Sequence, residues 1–239
     1  MITNEIILNI KREIKKHDKP ENKSDYQRFF KEKLKDPVRL KTPVLRKISN
    51  QCFKEYKDLP KNEILSLCDN MLASGEQYMR FFAFEWAFKI SEKHTKQDFT
   101  LFESWLKKYV NNWGSCDHLC CSSIGSLILK YPELVSKSMK WTKSKNIWFR
   151  RASAVCLITP VHKGLLLDKV FKTADILLKD EEDLVQKGYG WMLKEAGNIF
   201  PDEIFAYVMK HKDEMPRTAL RYAIEKYPKA MRAKAMKKD

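Results

Sequence analysis

Apolar residues recur along this chain every three or four positions, the spacing that gathers them on one face of an α-helix. Ile6, Ile7, Ile10 and Ile14 form such a stripe near the start. Tyr78, Phe82, Phe84, Trp86, Phe88 and Ile90 form a broader one, which predicts a helix covered on most of its sides. Pro43, Pro132, Pro201 and Pro216 stand at the openings of periodic segments, where a fixed φ and a missing N–H do no harm. Asp202-Glu203, just after Pro201, adds negative charge where the helix dipole favours it. No stretch alternates with period two. The pattern predicts an all-α chain of about a dozen helices joined by short loops.

The helices also repeat. Segments that begin at Met79, Asp117, Phe149, Val185 and Pro216 look like equivalent second helices of a two-helix unit, 31–38 residues apart. No TPR consensus is visible, so degenerate repeats of the HEAT type fit better. The predicted architecture is an α-solenoid of HEAT-like helical hairpins, a single domain spanning 1–239, with one helix of each pair lining a long concave surface. A non-repetitive helical bundle is the alternative that the irregular spacing leaves open.

Charge sharpens this picture. The 239 residues carry 46 Lys+Arg against 31 Asp+Glu, a net +15, on a chain that is 44% hydrophobic and able to bury a core. That balance excludes a disordered basic tail and points to a polyanionic partner, most simply nucleic acid. Seven Gly and nine Pro are too few for a turn-rich β-sandwich. No run approaches the 18 apolar residues of a membrane span, and the first residues lack a secretory signal pattern, so a cytoplasmic protein is expected. Only ten of the basic residues are Arg, whose planar fork suits phosphate. Arg80, Arg150, Arg151, Arg217 and Arg221 all fall on the second helices, which predicts a basic concave groove for duplex DNA. Pairing of individual arginines with acids of neighbouring repeats is the competing reading.

Cys116, His118, Cys120 and Cys121 crowd into six positions, yet neighbours on one helix point apart and cannot close a tetrahedral site. Cys116 and Cys120, four apart, read as small buried residues. No metal and no cofactor are expected.

The strongest chemical constellation is Asn111-Asn112-Trp113-Gly114-Ser115-Cys116-Asp117, in which Trp113 and Asp117 share a helix face. Asn146-Ile147-Trp148-Phe149-Arg150-Arg151 and Gln186-Lys187-Gly188-Tyr189-Gly190-Trp191 lie on the next two second helices. One carboxylate, two indoles and a cation could converge there on one nucleotide. Trp86, Trp105, Trp141 and Trp148 are assigned to packing. Gly188 and Gly190 inside a helix cost about 1 kcal/mol each relative to Ala, and close helix packing is the simplest reason for them.

These stretches resemble the AlkD-type alkylpurine DNA glycosylases, a family of HEAT-like repeats. The likeness rests on Trp113-x-x-x-Asp117, on Asn146-Ile147-Trp148-x-x-Arg151-Ala152, and on Gln186-Lys187-x-x-Gly190-Trp191-x-Leu193-x-Glu195. Weaker matches are Tyr26 and Thr42-Pro43-x-x-Arg46, and together they run from Tyr26 to Tyr227. The resemblance implies excision of N3- and N7-alkylated purines, chiefly 3-methyladenine and 7-methylguanine, from duplex DNA by a monofunctional hydrolase acting as a monomer. It implies Asp117 as the catalytic carboxylate, Trp113 and Trp191 as indoles flanking the lesion's deoxyribose, and Arg151 as the cation anchoring the backbone. Arg150, Tyr26, Lys41, Arg80, Lys187, Arg217 and Arg221 complete the expected DNA contacts, and the basic stretch from Lys229 to Lys238 could add to them. This sequence departs from the family pattern in Gly114-Ser115-Cys116 and in His118-Leu119-Cys120-Cys121. A non-catalytic paralogue that binds branched or distorted DNA is therefore the alternative, and a scaffold for an acidic protein is a third reading.

Overall fold

The computed structural model describes residues 2–18 and 40–237, and among them every regular element is helical. The chain divides into two compact units, Met1–His94 and Thr95–Asp239.

The first unit contains α1 (Ile2–His17), α2 (Thr42–Lys54), α3 (Lys61–Ala73) and α4 (Gln77–Lys89). The broad apolar stripe is α4, which packs against both α2 and α3. Phe82, Phe84 and Trp86 are fully buried, whereas Phe88, in the last turn, stays exposed. Burial of an indole obliges its N–H to find an acceptor, and Trp86 Nε1 donates to Ser49 Oγ at 3.1 Å. The edge of Phe53 meets the same ring, with centroids 5.3 Å apart. The narrower stripe is α1, which turns Ile6, Ile10 and Ile14 inward.

In the second unit, α5 (Asp98–Tyr109) is followed by α6 (Trp113–Leu119), which runs through a π-helical stretch, Cys120–Ile124, into α7 (Gly125–Lys130). Then come α8 (Val135–Met139), α9 (Ile147–Val155), α10 (Ile158–Val161), α11 (Leu167–Leu177), α12 (Asp183–Gly197), α13 (Pro201–His211), α14 (Arg217–Ala223) and α15 (Lys229–Met236). The segments expected to be equivalent second helices fall on α6, α9, α12 and α14. They are spatial neighbours in chain order: α9 packs against α6, and α12 packs against both α9 and α14. This arrangement bears out the expected helical-repeat fold.

Two details hold the row together. A Cβ at Gly190 would lie 2.7 Å from the Ala219 carbonyl oxygen and 2.8 Å from Tyr222 Cβ, so glycine is what lets α12 and α14 approach. Thr159, from α10, donates its hydroxyl to the Cys121 carbonyl at 2.7 Å, and so gives the π-helical stretch a partner for one of its backbone acceptors. Trp105 and Trp141 are buried as expected, but Trp148, in the first turn of α9, is only partly covered. Cys116, Cys120 and Cys156 are buried free thiols. Among the described residues no group of His, Cys, Asp and Glu is arranged to hold a metal, and no helix is long and apolar enough to cross a membrane.

Candidate active site

Two asparagines start the helices that carry the site. Asn112 caps α6, its side chain accepting from Ser115 N at 2.9 Å, and Asn146 caps α9 by accepting from Trp148 N at 2.9 Å. The caps fix where each helix begins, and hence which residues face the neighbouring helix. Trp113 becomes the first residue of α6, and Asp117 stands one turn further along. Arg151 falls in the middle of α9.

Asp117 and Arg151 meet in a bidentate ion pair. Arg151 Nε donates to Asp117 Oδ1 and Arg151 Nη2 to Asp117 Oδ2, each at 2.7 Å. Parallel N–H···O bonds of this kind are the strongest arrangement available to a carboxylate and a guanidinium. The pair is shielded, with side chains 16% and 6% exposed for Asp117 and Arg151. The remaining Arg151 nitrogen, Nη1, donates to the Leu184 carbonyl in the first turn of α12. Three successive second helices therefore converge on one guanidinium. Gly188 makes room for it, since a Cβ there would sit 3.1 Å from Arg151 Cγ.

Burial pushes the Asp117 carboxyl above its ordinary 3.8, against the hydrogen bonds and charge of Arg151, which pull it down. For Arg151 burial works against the charge, but the hydrogen bonds it donates to Asp117, and the charge of that carboxylate, prevail and hold the guanidinium above its usual value. Arg151 is thus fixed as a cation, with both Asp117 oxygens against it.

The two indoles differ in surroundings. Trp113 and Trp191 are both partly exposed. Trp191 lies one residue past Gly190 on α12, and its Nε1 donates to Glu195 Oε1 at 3.0 Å. Glu195 in turn meets His162 Nε2 and Asn198 Nδ2, both at 3.0 Å from Oε2.

The remaining expected contacts are placed as follows. Arg150 points away from Arg151 and bridges to Asp180, Nε to Oδ2 at 2.6 Å, while Nη1 donates to the Ser144 carbonyl at 2.9 Å. Its geometry is that of a link between repeats. Lys187 pairs with Asp183 at 2.7 Å along α12. Arg217 Nη1 donates to the Met236 carbonyl at 3.1 Å, near the C-terminal end of α15, and Arg221 is exposed on α14. Lys41, exposed at the N-cap of α2, and Arg80, on α4, belong to the first unit. Arg80 is half-buried, and burial lowers its pKa. Tyr26, and Lys238 of the basic tail, lie outside the described residues. The sequence reading did not anticipate the Leu184 carbonyl as a partner of Arg151, Asp180 as the partner of Arg150, or His162 beside Glu195. The four-residue spacing of Trp191 and Glu195 signalled their own contact but none of these three.

No curated protein matches the sequence. Among solved structures, a predicted DNA alkylation repair enzyme from Enterococcus faecalis is similar, with a TM-score of 0.71 at 18% identity. The likeness covers 80% of this chain and 87% of that one, and it establishes a shared fold. The sequence model of the DNA alkylation repair enzymes matches residues 10–227. With that match spanning nearly the whole chain, and with the resembling motifs gathered around one buried ion pair, the chain belongs to the DNA alkylation repair enzyme family.

Proposed function

We propose that this protein is a monofunctional DNA glycosylase that hydrolyses the N-glycosidic bond of cationic N3- and N7-alkylated purines in duplex DNA. The observation that carries this reading is the shielded Asp117–Arg151 pair set between helices that also present Trp113 and Trp191. A buried ion pair is rarely retained for stability, because well-packed apolar residues of the same volume serve at least as well. Its bidentate, shielded geometry, tied also to the Leu184 carbonyl of the next helix, favours a chemical use.

That use follows from the substrate. A purine alkylated at N3 or N7 already carries positive charge and departs without a strong general acid. The reaction then needs stabilisation of the electron-poor sugar and delivery of a water. Asp117, ionised by its neighbour, supplies negative charge for the first and a proton acceptor for the second. Arg151 keeps the carboxylate charged and fixed in orientation. The faces of Trp113 and Trp191 add cation–π attraction, about 0.5–2 kcal/mol each. DNA is the partner, held by exposed cations such as Lys41 and Arg221.

The test is release of 7-methylguanine and 3-methyladenine from methylated duplex DNA by the wild type and by Asp117→Asn. A loss of about 10²- to 10⁴-fold in the variant is expected, with no strand nicking by either protein. One observation favours a second reading, a non-catalytic binder of distorted DNA: both Asp117 oxygens are taken up by Arg151. A wild type that binds duplex DNA but releases no base would establish that reading in place of the first.

A further inference from the structure

A tryptophan ring has two broad, roughly opposite settings about χ2, and its single polar atom is the Nε1–H. Whatever accepts from that N–H decides which edge and face of the indole a bound molecule meets. For Trp191 the acceptor is Glu195 Oε1, at 3.0 Å and one turn along α12. Glu195 is not a loose surface acid, because its side chain is only 15% exposed. Its other oxygen is held by His162 Nε2, from the turn after α10, and by Asn198 Nδ2, just past the end of α12. Lys226 Nζ lies 3.8 Å from Oε1, and the adjacent Lys194 is occupied by Glu225 at 3.1 Å. Burial acts to raise the Glu195 pKa, but the hydrogen bonds from His162 and Trp191 prevail and hold it below the ordinary 4.5. His162 follows closely on α9, the helix that carries Arg151, so the chain His162–Glu195–Trp191 ties that segment to the indole.

We infer that Glu195, seated by His162 and Asn198, is a positioning residue that sets the orientation of the Trp191 indole in the lesion site. The inference rests on the reading of Trp191 as a wall of that site. Glu195 touches no reacting atom, and its effect passes entirely through the ring.

The experiment compares wild type, Glu195→Ala and Glu195→Gln by three measurements. These are the 15N-labelled indole N–H resonance of Trp191, assigned by its loss in Trp191→Phe, the single-turnover release of 7-methylguanine, and the affinity for unmodified duplex DNA. In Glu195→Ala the Trp191 resonance moves and the single-turnover rate falls about tenfold, the effect of a misplaced contact group. Affinity for unmodified duplex stays within about twofold, because the phosphate contacts that dominate it are untouched. Glu195→Gln keeps a side-chain oxygen as acceptor and restores most of both the resonance and the rate. An unmoved resonance, an unchanged rate, or a parallel loss of rate and affinity in Glu195→Ala overturns the inference. A wild type that releases no base overturns the glycosylase reading, and this inference with it, before any variant is compared.

Discussion

At Gly188 a missing methyl group lets a guanidinium sit between helices. Arg151 is held by Asp117 on one side and by the Leu184 carbonyl on the other, so it has no room to retreat from a Cβ placed 3.1 Å from its Cγ. Gly188→Ala gains about 1 kcal/mol of helix propensity, offset by displacement of the fork. Urea denaturation should therefore show a net stability change within about 1 kcal/mol, while release of 7-methylguanine under the proposed function should slow about tenfold. Gly190→Ala behaves differently, because its Cβ would meet the Ala219 carbonyl oxygen at 2.7 Å and backbone cannot swing aside. A loss of about 2–3 kcal/mol is expected there. The Asp117 carboxyl makes a prediction about pH. Its pKa lies above the ordinary 3.8, and the proposed reaction uses its ionised form, so under that proposal the rate should fall as pH drops through the raised value. The acid limb of the pH–rate profile should lie above the range of an exposed carboxylate. Arg151→Gln should move it higher still, since the charge opposing the effect of burial is gone. At this scale the sequence was legible in kind and not in geometry. Trp113, Asp117, Arg151 and Trp191 stood out as candidates, and the structure pairs Asp117 with Arg151, but the other partners of Arg151 and Arg150 could not be read, because residue type does not reveal which group lies on the next helix.

Short helices depend on their ends. The helix α6 is seven residues long, and Asn112 satisfies Ser115 N in its first turn. Asn112→Ala should cost about 1 kcal/mol, and hydrogen exchange should show the Ser115 amide losing protection first. Because α6 carries Trp113 and Asp117, activity should fall with that protection. The asparagine caps were not read from the sequence, and neither was the π-helical stretch. It lies in a segment whose apolar pattern reads as continuous helix, and only the approach of Thr159 to the Cys121 carbonyl reveals its local support. Thr159→Val should destabilise the fold by about 1–2 kcal/mol by leaving that carbonyl without its partner.

Across the second unit, five of the polar links between neighbouring segments share one feature. Arg151–Asp117, Arg150–Asp180, Thr159–Cys121, His162–Glu195 and Lys194–Glu225 join partners 34, 30, 38, 33 and 31 residues apart. That is the spacing between the repeat segments seen in the sequence, so each repeat is fastened mainly to its neighbour. The repeat period was legible because it is written in helix-sized apolar segments. The pairings were not, since several acids stand within reach of each arginine at that offset. The net charge of +15 acts at the same scale. Binding to unmodified duplex should weaken steeply with salt, by a slope near −0.9 per phosphate neutralised. A flat salt dependence would remove DNA as the partner. The neighbour-to-neighbour fastening also has a kinetic consequence. Contacts that close loops of only one repeat cost little chain entropy, so the chain should collapse quickly and from any interior pair of repeats outward. The Asp117–Arg151 fork lies at such an interior junction. It should therefore be among the last features to be lost on unfolding, well after the terminal helix α15 has come away.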